Sequence, residues 1–243
     1  MKRTLLLMGA SGGIGRAILK PLCQAGYQLA LHYNGDFEQL TKAVEELNPA
    51  NKIALFKADL NNETDIAEMV ESVQTEFGSI DILVNNAGVS QSGISWKQDR
   101  EGWDRSLAIN LTGPFLTMKH VIPGMKKQGW GRIINVSSVV AQWGVPGTVA
   151  YSAAKSGVIG MSRTIAAELA QAGITVNTLA YGYMDAGMLH DLTDEMREAI
   201  QKVIPMQKFG DPMNIARAIL FLADEQVDYI TGQVININGG LAG

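Results

Sequence analysis

Tyr151 and Lys155 are the two residues whose types and spacing best suit proton transfer. They lie four positions apart in a stretch with helical patterning, so both side chains are expected on one helix face. A phenol has a reference pKa of about 10 and is almost wholly protonated at neutral pH. A nearby ammonium lowers that pKa, which makes the phenol useful as a general acid or base. The alternative is an ordinary Tyr/Lys pair on an exposed helix, and the pair alone does not exclude it.

A second motif is a glycine-rich segment at residues 9–15, between a predicted strand and a predicted helix. Glycines allow a tight turn and let the backbone approach a pyrophosphate. The free N–H groups and the positive end of the helix then face the anion. A simple turn is the alternative, but the strand before and the helix after favour a dinucleotide site. The residues predicted to hold it are Gly9, Ser11, Gly12, Gly13, Ile14 and Gly15.

The elements that position these residues alternate along the chain. Short apolar runs predict strands at 4–8, 29–33, 52–57, 80–84, 132–136, 174–179 and 234–237. Helices are predicted at 14–24, 36–47 with Asp36 as its N-cap, 63–77, 100–128, 150–171 and 212–222. Residues 181–207 mix glycine, methionine and charges and are predicted to form a mobile lid. The alternation predicts one α/β domain over residues 1–243, a Rossmann-type doubly wound parallel sheet of about seven strands with helices on both faces.

Ligands of such sheets bind at the carboxyl ends of the strands, where the motifs fall. Ser138 ends the predicted fifth strand, and a hydroxyl there is placed to hydrogen-bond a substrate carbonyl. A serine in a turn is the alternative at this position.

Composition restricts the class of protein. The chain has 243 residues, 47% apolar and 18% charged, which suits a large core and excludes disorder. A net charge of −4 argues against nucleic-acid binding, and no apolar run is long enough to span a membrane. The N-terminal apolar run is also too short for a secretory signal. Cys23 is the only cysteine and cannot form an internal disulfide, which fits the cytoplasm.

Together these residues closely resemble the classical short-chain dehydrogenase/reductase family over nearly the whole chain. The family motif Thr-Gly-x-x-x-Gly-x-Gly is matched from residue 8 to residue 15, with Met8 in place of threonine. The family motif Asn-Asn-Ala-Gly is matched at residues 85–88. The catalytic tetrad is matched in order and spacing by Asn110, Ser138, Tyr151 and Lys155.

The resemblance implies a role for each of these side chains. Tyr151 protonates the alkoxide as hydride reaches the carbonyl carbon, and Ser138 orients the carbonyl oxygen. Lys155 lowers the pKa of Tyr151 and holds the nicotinamide ribose, while Asn110 holds a water in a proton relay. Further cofactor contacts are implied at Tyr33, Asn34, Asp59, Leu60, Asn86, Ala87, Gly88, Gly182 and Met184.

The choice of nicotinamide depends on the end of the second strand. An acidic residue there selects NAD(H), whereas the sequence has Tyr33 followed by Asn34 and Gly35. With Asp36 assigned to a helix cap, NADP(H) is preferred. NAD(H) stays possible, because Gly12 stands where many NADP-dependent members have a basic residue. No metal is predicted, since His32, His120 and His190 lack ligand spacing and are assigned to surface or packing.

Within the family, the chain looks most like 3-oxoacyl-[acyl-carrier-protein] reductases, which reduce a 3-oxoacyl thioester and are usually homotetramers. It departs from them at Tyr181 and Ala186, where proline and threonine are usual. Carrier-protein-specific members tend to have arginines at the positions of Gly129 and Ala172. Basic residues next to the first of these positions are still able to attract an acidic carrier protein, namely Lys126 and Lys127.

Three hypotheses about function therefore stay open. The first is reduction of a carrier-bound 3-oxoacyl thioester. The second is oxidoreduction of another small ketone or alcohol, such as a sugar, steroid or cyclic diketone. The third is a non-catalytic dinucleotide-binding partner subunit. Trp143, Tyr181 and Tyr183 are predicted to flank the substrate mouth, with ordinary packing as the alternative.

Overall fold

The computed structural model describes residues 2–47, 49–90 and 92–242. Within these residues seven strands form one sheet in which every pairing is parallel. The strands are Thr4–Met8 (β1), Gln28–Tyr33 (β2), Ile53–Lys57 (β3), Ile82–Asn85 (β4), Gly131–Ser138 (β5), Ile174–Tyr181 (β6) and Val234–Ile237 (β7). Their spatial order is β3-β2-β1-β4-β5-β6-β7. The predicted Rossmann-type doubly wound sheet is confirmed.

Helices cover both faces of the sheet. In the described residues they are Gly13–Gln24 (α1), Phe37–Glu45 (α2), Glu63–Phe77 (α3), Arg100–Leu107 (α4), Gly113–Gln128 (α5), Val149–Leu169 (α6), Asp194–Val203 (α7) and Pro212–Ala223 (α8). Apolar side chains of α1, α2 and α8 pack on one face, among them Leu19, Leu40 and Ile219. Those of α3, α5 and α6 pack on the other. None of the described helices combines the length and apolarity needed to cross a bilayer.

The long helix predicted over residues 100–128 is interrupted. A π-helical turn at Ala108–Thr112 separates α4 from α5. Within it, the side-chain amide of Asn110 donates to the carbonyl of Ser106 at 2.9 Å. That carbonyl is the one a regular α-helix would give to the backbone N–H of residue 110. The side-chain bond thus competes for a carbonyl of the regular helix at the place where the helix widens, and such turns are frequent at functional sites.

Two further predictions are corrected by the structure. α2 begins directly after Asp36, but Asp36 is left-handed (φ 52°) and its side chain makes no capping hydrogen bond. Its carboxylate is therefore not occupied by the helix that was expected to use it. Residues 181–207 are less lid-like than predicted, because they include α7 and contribute Met184, Leu189 and Ile204 to the interior.

Candidate active site

The motifs converge where the strand order reverses, between β1 and β4. β2 and β3 lie to one side of this point and β5, β6 and β7 to the other. Ligands of open α/β sheets bind in the crevice beyond the carboxyl ends at such a reversal. Gly9 follows β1, Asn86 follows β4 and Ser138 ends β5, so three separate motifs border one crevice.

Gly9 is the tightest point of the glycine-rich loop. Its φ of +72° is a left-handed conformation that L side chains rarely adopt, and a Cβ there would lie 2.6 Å from Cα of Ala87. The Gly9 carbonyl accepts from the Gly12 N–H at 3.2 Å and from the Asn86 side chain at 3.3 Å. The loop after β1 and the loop after β4 are thereby fixed to each other.

The N-terminus of α1 suits an anion. Its N-cap is Gly12, no side chain caps it, and its first turn contains no acidic residue. The N–H groups of this turn are thus left for a phosphate, as a helix N-terminus allows. A Cβ on Gly13 would overlap the backbone of Gly187, so the segment after β6 lies directly against this loop.

The Asn-Asn-Ala-Gly segment is tied to its neighbours by side-chain amides. Asn85 donates to the side chain of Asn135 at 2.8 Å, and Asn135 donates to the Ser162 hydroxyl at 2.9 Å. These buried bonds link β4, β5 and α6. They support the sheet beneath the helix that carries Tyr151.

Asn110 is fully buried and holds the end of this segment. Its side chain accepts from the Val89 N–H at 3.1 Å and donates to the Val89 carbonyl at 2.9 Å. A Cβ on Gly88 would lie 2.8 Å from Oδ1 of Asn110 and 3.4 Å from Nζ of Lys155. Since the amide hydrogens of Asn110 are used on Val89 and Ser106, any water held there must donate to an Asn110 oxygen.

Lys155 is a buried ammonium beside the Tyr151 ring. It is 2% exposed, its Nζ donates to the Val136 carbonyl at 3.0 Å, and Nζ lies 5.6 Å from the ring centroid. Burial lowers the pKa of Lys155 to about 8. Val136 is its one hydrogen-bond acceptor among the described residues, so hydrogens on Nζ are left for hydroxyls of a ligand.

Tyr151 is a protonated phenol in this arrangement. Burial raises its pKa to about 12, and the nearby Ser138 side chain opposes that rise. Lys155 was expected to lower the pKa of Tyr151, whereas in the protein alone burial has the largest effect and raises that pKa. The phenol is therefore held as a proton donor at neutral pH, next to the Ser138 hydroxyl.

A cavity of about 640 Å³ lies where β2 and β3 end. Asn34, Lys57 and Asp59 border it, and α3 forms its other wall with Asp65 and Glu68. Asp59 is fixed by its own loop, since its carboxylate accepts from the Asn61 backbone at 2.9 Å. Tyr33 pairs with Lys57 across the two strands, which brings a lysine next to the position that decides the cofactor.

The predicted substrate wall is only partly open. Trp143 is 37% exposed, whereas Tyr181 is 5% exposed and belongs to the core cluster that includes Val136 and Met184. Burial raises the pKa of Tyr181, and its hydroxyl has no hydrogen-bond partner among the described residues. For Tyr181 the packing alternative thus accounts for its place. Gly182 donates its N–H to Ile237 at 2.8 Å, which fixes the start of the following segment.

Comparisons with known proteins agree with this geometry. The family model described as "Enoyl-(Acyl carrier protein) reductase" matches residues 9–242. The chain belongs to the short-chain dehydrogenase/reductase family. It is 39% identical over 243 residues to "3-oxoacyl-[acyl-carrier-protein] reductase FabG" of Staphylococcus epidermidis, covering 99% of both chains. It is 40% identical to the protein of that name from Staphylococcus aureus (99% of this chain, 98% of the relative) and 38% identical to "Nodulation protein G" of Rhizobium sp. (99% and 97%).

As a member of this family the chain is an oxidoreductase acting on CH-OH or C=O groups and using a nicotinamide dinucleotide. The residues fit that group: the glycine-rich loop packs its backbone too closely for side chains, the N-terminus of α1 beside it has no side-chain cap, and a buried ammonium keeps hydrogens for ribose hydroxyls. In residues 2–47, 49–90 and 92–242 no cluster of three or more His, Cys, Asp or Glu has the arrangement of a metal site.

Sequence reasoning missed two residues that support the site. The Ser137 hydroxyl donates to the Lys155 carbonyl at 2.9 Å and fixes α6 onto β5. His32 was assigned to surface or packing, and its 3% exposure agrees with packing, but its two ring hydrogen bonds to the backbone beside the site were not foreseen. The available signal was a polar side chain inside the apolar run of β2. By contrast, His120 and His190 lie on the surface beside Glu63 and Asp185.

Proposed function

We propose that this protein is an NADPH-dependent reductase that converts a 3-oxoacyl thioester, carried on acyl carrier protein, into the 3-hydroxyacyl form in fatty acid biosynthesis. The observation that carries the proposal is the position of the buried Tyr151 phenol beside Ser138 and Lys155, at the edge where the glycine-rich loop follows β1. The Staphylococcus relatives, which are 3-oxoacyl-[acyl-carrier-protein] reductases by name, supply the substrate class.

Each side chain has a step that its position supports. Reduced nicotinamide supplies the hydride when bound. The Ser138 hydroxyl donates to the substrate carbonyl and aims its oxygen at Tyr151, and Tyr151 then donates its proton to that oxygen as negative charge develops. Lys155 holds hydroxyls of the cofactor ribose, and its positive charge stabilises the phenolate that Tyr151 becomes after it gives up its proton. Asn110 keeps the loop after β4 in place, and a water on one of its oxygens returns a proton.

Preference for NADPH rests on the end of β2. A carboxylate at Tyr33, Asn34 or Gly35 would repel a 2′-phosphate, and none is there. Lys57, paired with Tyr33, supplies a nearby positive charge. The free carboxylate of Asp36 works in the opposite direction, which makes the preference moderate.

We expect NADPH to bind about tenfold more tightly than NADH, because a phosphate–ammonium contact contributes roughly 1.5 kcal/mol. Isothermal titration of wild-type protein and Lys57→Gln with each dinucleotide measures this. The Lys57→Gln change should weaken NADPH binding and leave NADH binding unaltered, while Lys52→Gln, at an exposed Glu76 pair, is the control. Tighter binding of NADH by the wild type would contradict the preference.

We propose that the protein binds an acidic carrier protein although Gly129 and Ala172 stand where carrier-specific members tend to have arginines. Gly129 closes the C-terminus of α5 with φ +67°, a conformation that explains a glycine there in place of a side chain. Lys126 and Lys127 are exposed in the last turn of the same helix. These lysines offer the positive charge that an acidic carrier protein would meet.

Substrate class is tested by comparing carbonyl compounds, with loss of reduced cofactor as the readout. We expect kcat/KM for a 3-oxoacyl pantetheine thioester to exceed that for simple and cyclic ketones by at least about 100-fold, since remote contacts contribute to transition-state binding. The carrier-bound thioester should be better still. An enoyl thioester should be inert, since it has no 3-oxo group to reduce, and it serves as the negative control for reduction at that group.

Other outcomes point to the other hypotheses. Equal turnover of thioesters and small ketones would favour a reductase of another alcohol or ketone. Binding of the dinucleotide with no oxidation of NADPH by any carbonyl compound would favour a non-catalytic subunit.

We further propose that the reductase works in the cytoplasm as a homotetramer, consistent with exposed Phe115 and Phe221 on α5 and α8.

A further inference from the structure

His32 connects three strands at the entrance to the dinucleotide site. It lies in β2 between β1 and β3 and is 3% exposed. Its Nδ1 accepts the Gly9 N–H at 2.9 Å, and its Nε2 lies 3.1 Å from the Ala58 carbonyl. The His32 carbonyl also accepts the Ala10 N–H at 2.9 Å. One residue thus contacts the start of the glycine-rich loop and the end of β3.

The partners of the ring define its protonation state. A backbone N–H only donates, so Nδ1 must be unprotonated; a carbonyl only accepts, so Nε2 must carry the hydrogen. His32 is therefore neutral, in the Nε2–H tautomer. Burial also lowers the pKa of His32, which agrees with the hydrogen-bond pattern.

The hydrogen bond from the Gly9 N–H to His32 is the one that affects the loop expected to bind the dinucleotide. Gly9 has a left-handed backbone, and its carbonyl is already fixed by Gly12 and Asn86. The N–H of Gly9 is fixed by His32 alone among the described residues. Because the N–H and the carbonyl of Gly9 are both held, the N–H groups that remain unused further along the loop are positioned before any phosphate arrives.

We propose that His32 is a positioning residue for the dinucleotide, which presets the glycine-rich loop through Nδ1 and so raises cofactor affinity without touching the cofactor. This inference rests on dinucleotide binding by the proposed reductase. Preset loops bind more tightly because less ordering is left to the binding step.

Two substitutions separate the roles of the two nitrogens. In His32→Asn, the amide oxygen can occupy the place of Nδ1 and keep the Gly9 bond, while the Ala58 bond is lost. In His32→Gln, the amide nitrogen can occupy the place of Nε2 and keep the Ala58 bond, while the Gly9 acceptor is lost. Each variant loses one buried hydrogen bond, so their midpoints of thermal unfolding should fall by similar amounts.

The two variants should differ in affinity for the dinucleotide. Titration calorimetry with NADPH is expected to give a Kd about tenfold higher for His32→Gln and within about twofold of wild type for His32→Asn. At saturating NADPH and thioester, kcat of both should stay within about twofold of wild type. Equal weakening in both variants, or none in His32→Gln, would overturn the proposal. Failure of wild-type protein to bind any dinucleotide would instead count against the proposed function.

A measurement on the unaltered protein applies even if a variant does not fold. Long-range ¹H–¹⁵N NMR spectra should show His32 as the neutral Nε2–H tautomer both before and after NADPH is added. A ring that is cationic or Nδ1–H in either state, or that changes tautomer on binding, would refute a preset loop.

Discussion

Tyr151→Phe is expected to reduce kcat for thioester reduction by about three orders of magnitude while leaving the Kd for NADPH within about twofold, since general acid catalysis typically contributes 10²–10⁴. Phenylalanine keeps the ring and removes only the hydroxyl. The proton then has to come from a water molecule. Ser138 does not hold such a water in position, and burial of the site does not keep it out. Stopped-flow oxidation of NADPH and titration calorimetry measure the two quantities.

The pH dependence gives this prediction a second signature. Because burial raises the pKa of Tyr151 to about 12, the phenol is protonated throughout the neutral range. Reduction, which uses the phenol, should therefore not depend on Tyr151 titration near neutrality. Oxidation of the 3-hydroxyacyl product needs the phenolate, and its rate should rise close to tenfold per pH unit up to about pH 8, below which Lys155 keeps the charge that stabilises the phenolate.

Tyr27→Phe is the matched control. Tyr27 is half-buried just before β2 begins, at the opposite edge of the sheet from Tyr151. The Tyr27→Phe variant should keep the wild-type kcat. Near-normal turnover by Tyr151→Phe, or an equal loss in Tyr27→Phe, would remove Tyr151 from the role of acid.

The sheet could be predicted from the sequence because its signals are local. β1 and α3 were predicted with the bounds that the structure has, since an apolar run or an apolar period marks each of them. The π-helical turn at Ala108–Thr112 could not be predicted, because it depends on where the Asn110 amide finds partners in the folded chain. Asp36 likewise has a capping residue type, but its backbone is left-handed and its side chain makes no capping hydrogen bond.

The candidate site shows the same division. Motif spacing identified Tyr151 and Lys155, but their electrostatics depend on how deeply the folded chain buries them. His32 carried no motif, and its two hydrogen bonds come from strands that are adjacent only in the folded protein. Residue type and spacing thus predict candidates, whereas protonation and positioning need the three-dimensional neighbours.

Lys155→Met is expected to lower activity strongly and to stabilise the cofactor-free protein. Without the ammonium, the phenolate left on Tyr151 and the ribose hydroxyls lose their partner, so kcat/KM should fall by at least about 10³-fold. The free energy of unfolding of the cofactor-free protein, by contrast, should increase. Burial lowers the pKa of Lys155 from 10.5 to about 8, which means that folding disfavours its charged form.

The sign and pH range of the stability change follow from linkage. Each pH unit of that difference corresponds to about 1.4 kcal/mol, so the charge costs about 3 kcal/mol of stability below pH 8. The folded protein loses the Lys155 proton near pH 8, and the unfolded chain loses it near pH 10.5. The cost of the charge to stability therefore disappears as pH rises through this range. Loss of the bond to Val136 offsets roughly 1 kcal/mol. Lys155→Met should therefore be more stable by about 2 kcal/mol at pH 7, and at pH 10.5 it should have lost this gain and be slightly less stable than wild type, because only the lost bond to Val136 remains.

Urea unfolding followed by tryptophan fluorescence, at one protein concentration and at pH 7 and pH 10.5, measures this difference. Lys20→Met, on the exposed face of α1, is the control and should change stability by less than about 0.5 kcal/mol at either pH. A loss of stability in Lys155→Met at pH 7 would mean that the ammonium is compensated inside the protein. The site would then not be holding a charge that only a bound cofactor can satisfy, and the function proposed for Lys155 would lose its physical basis.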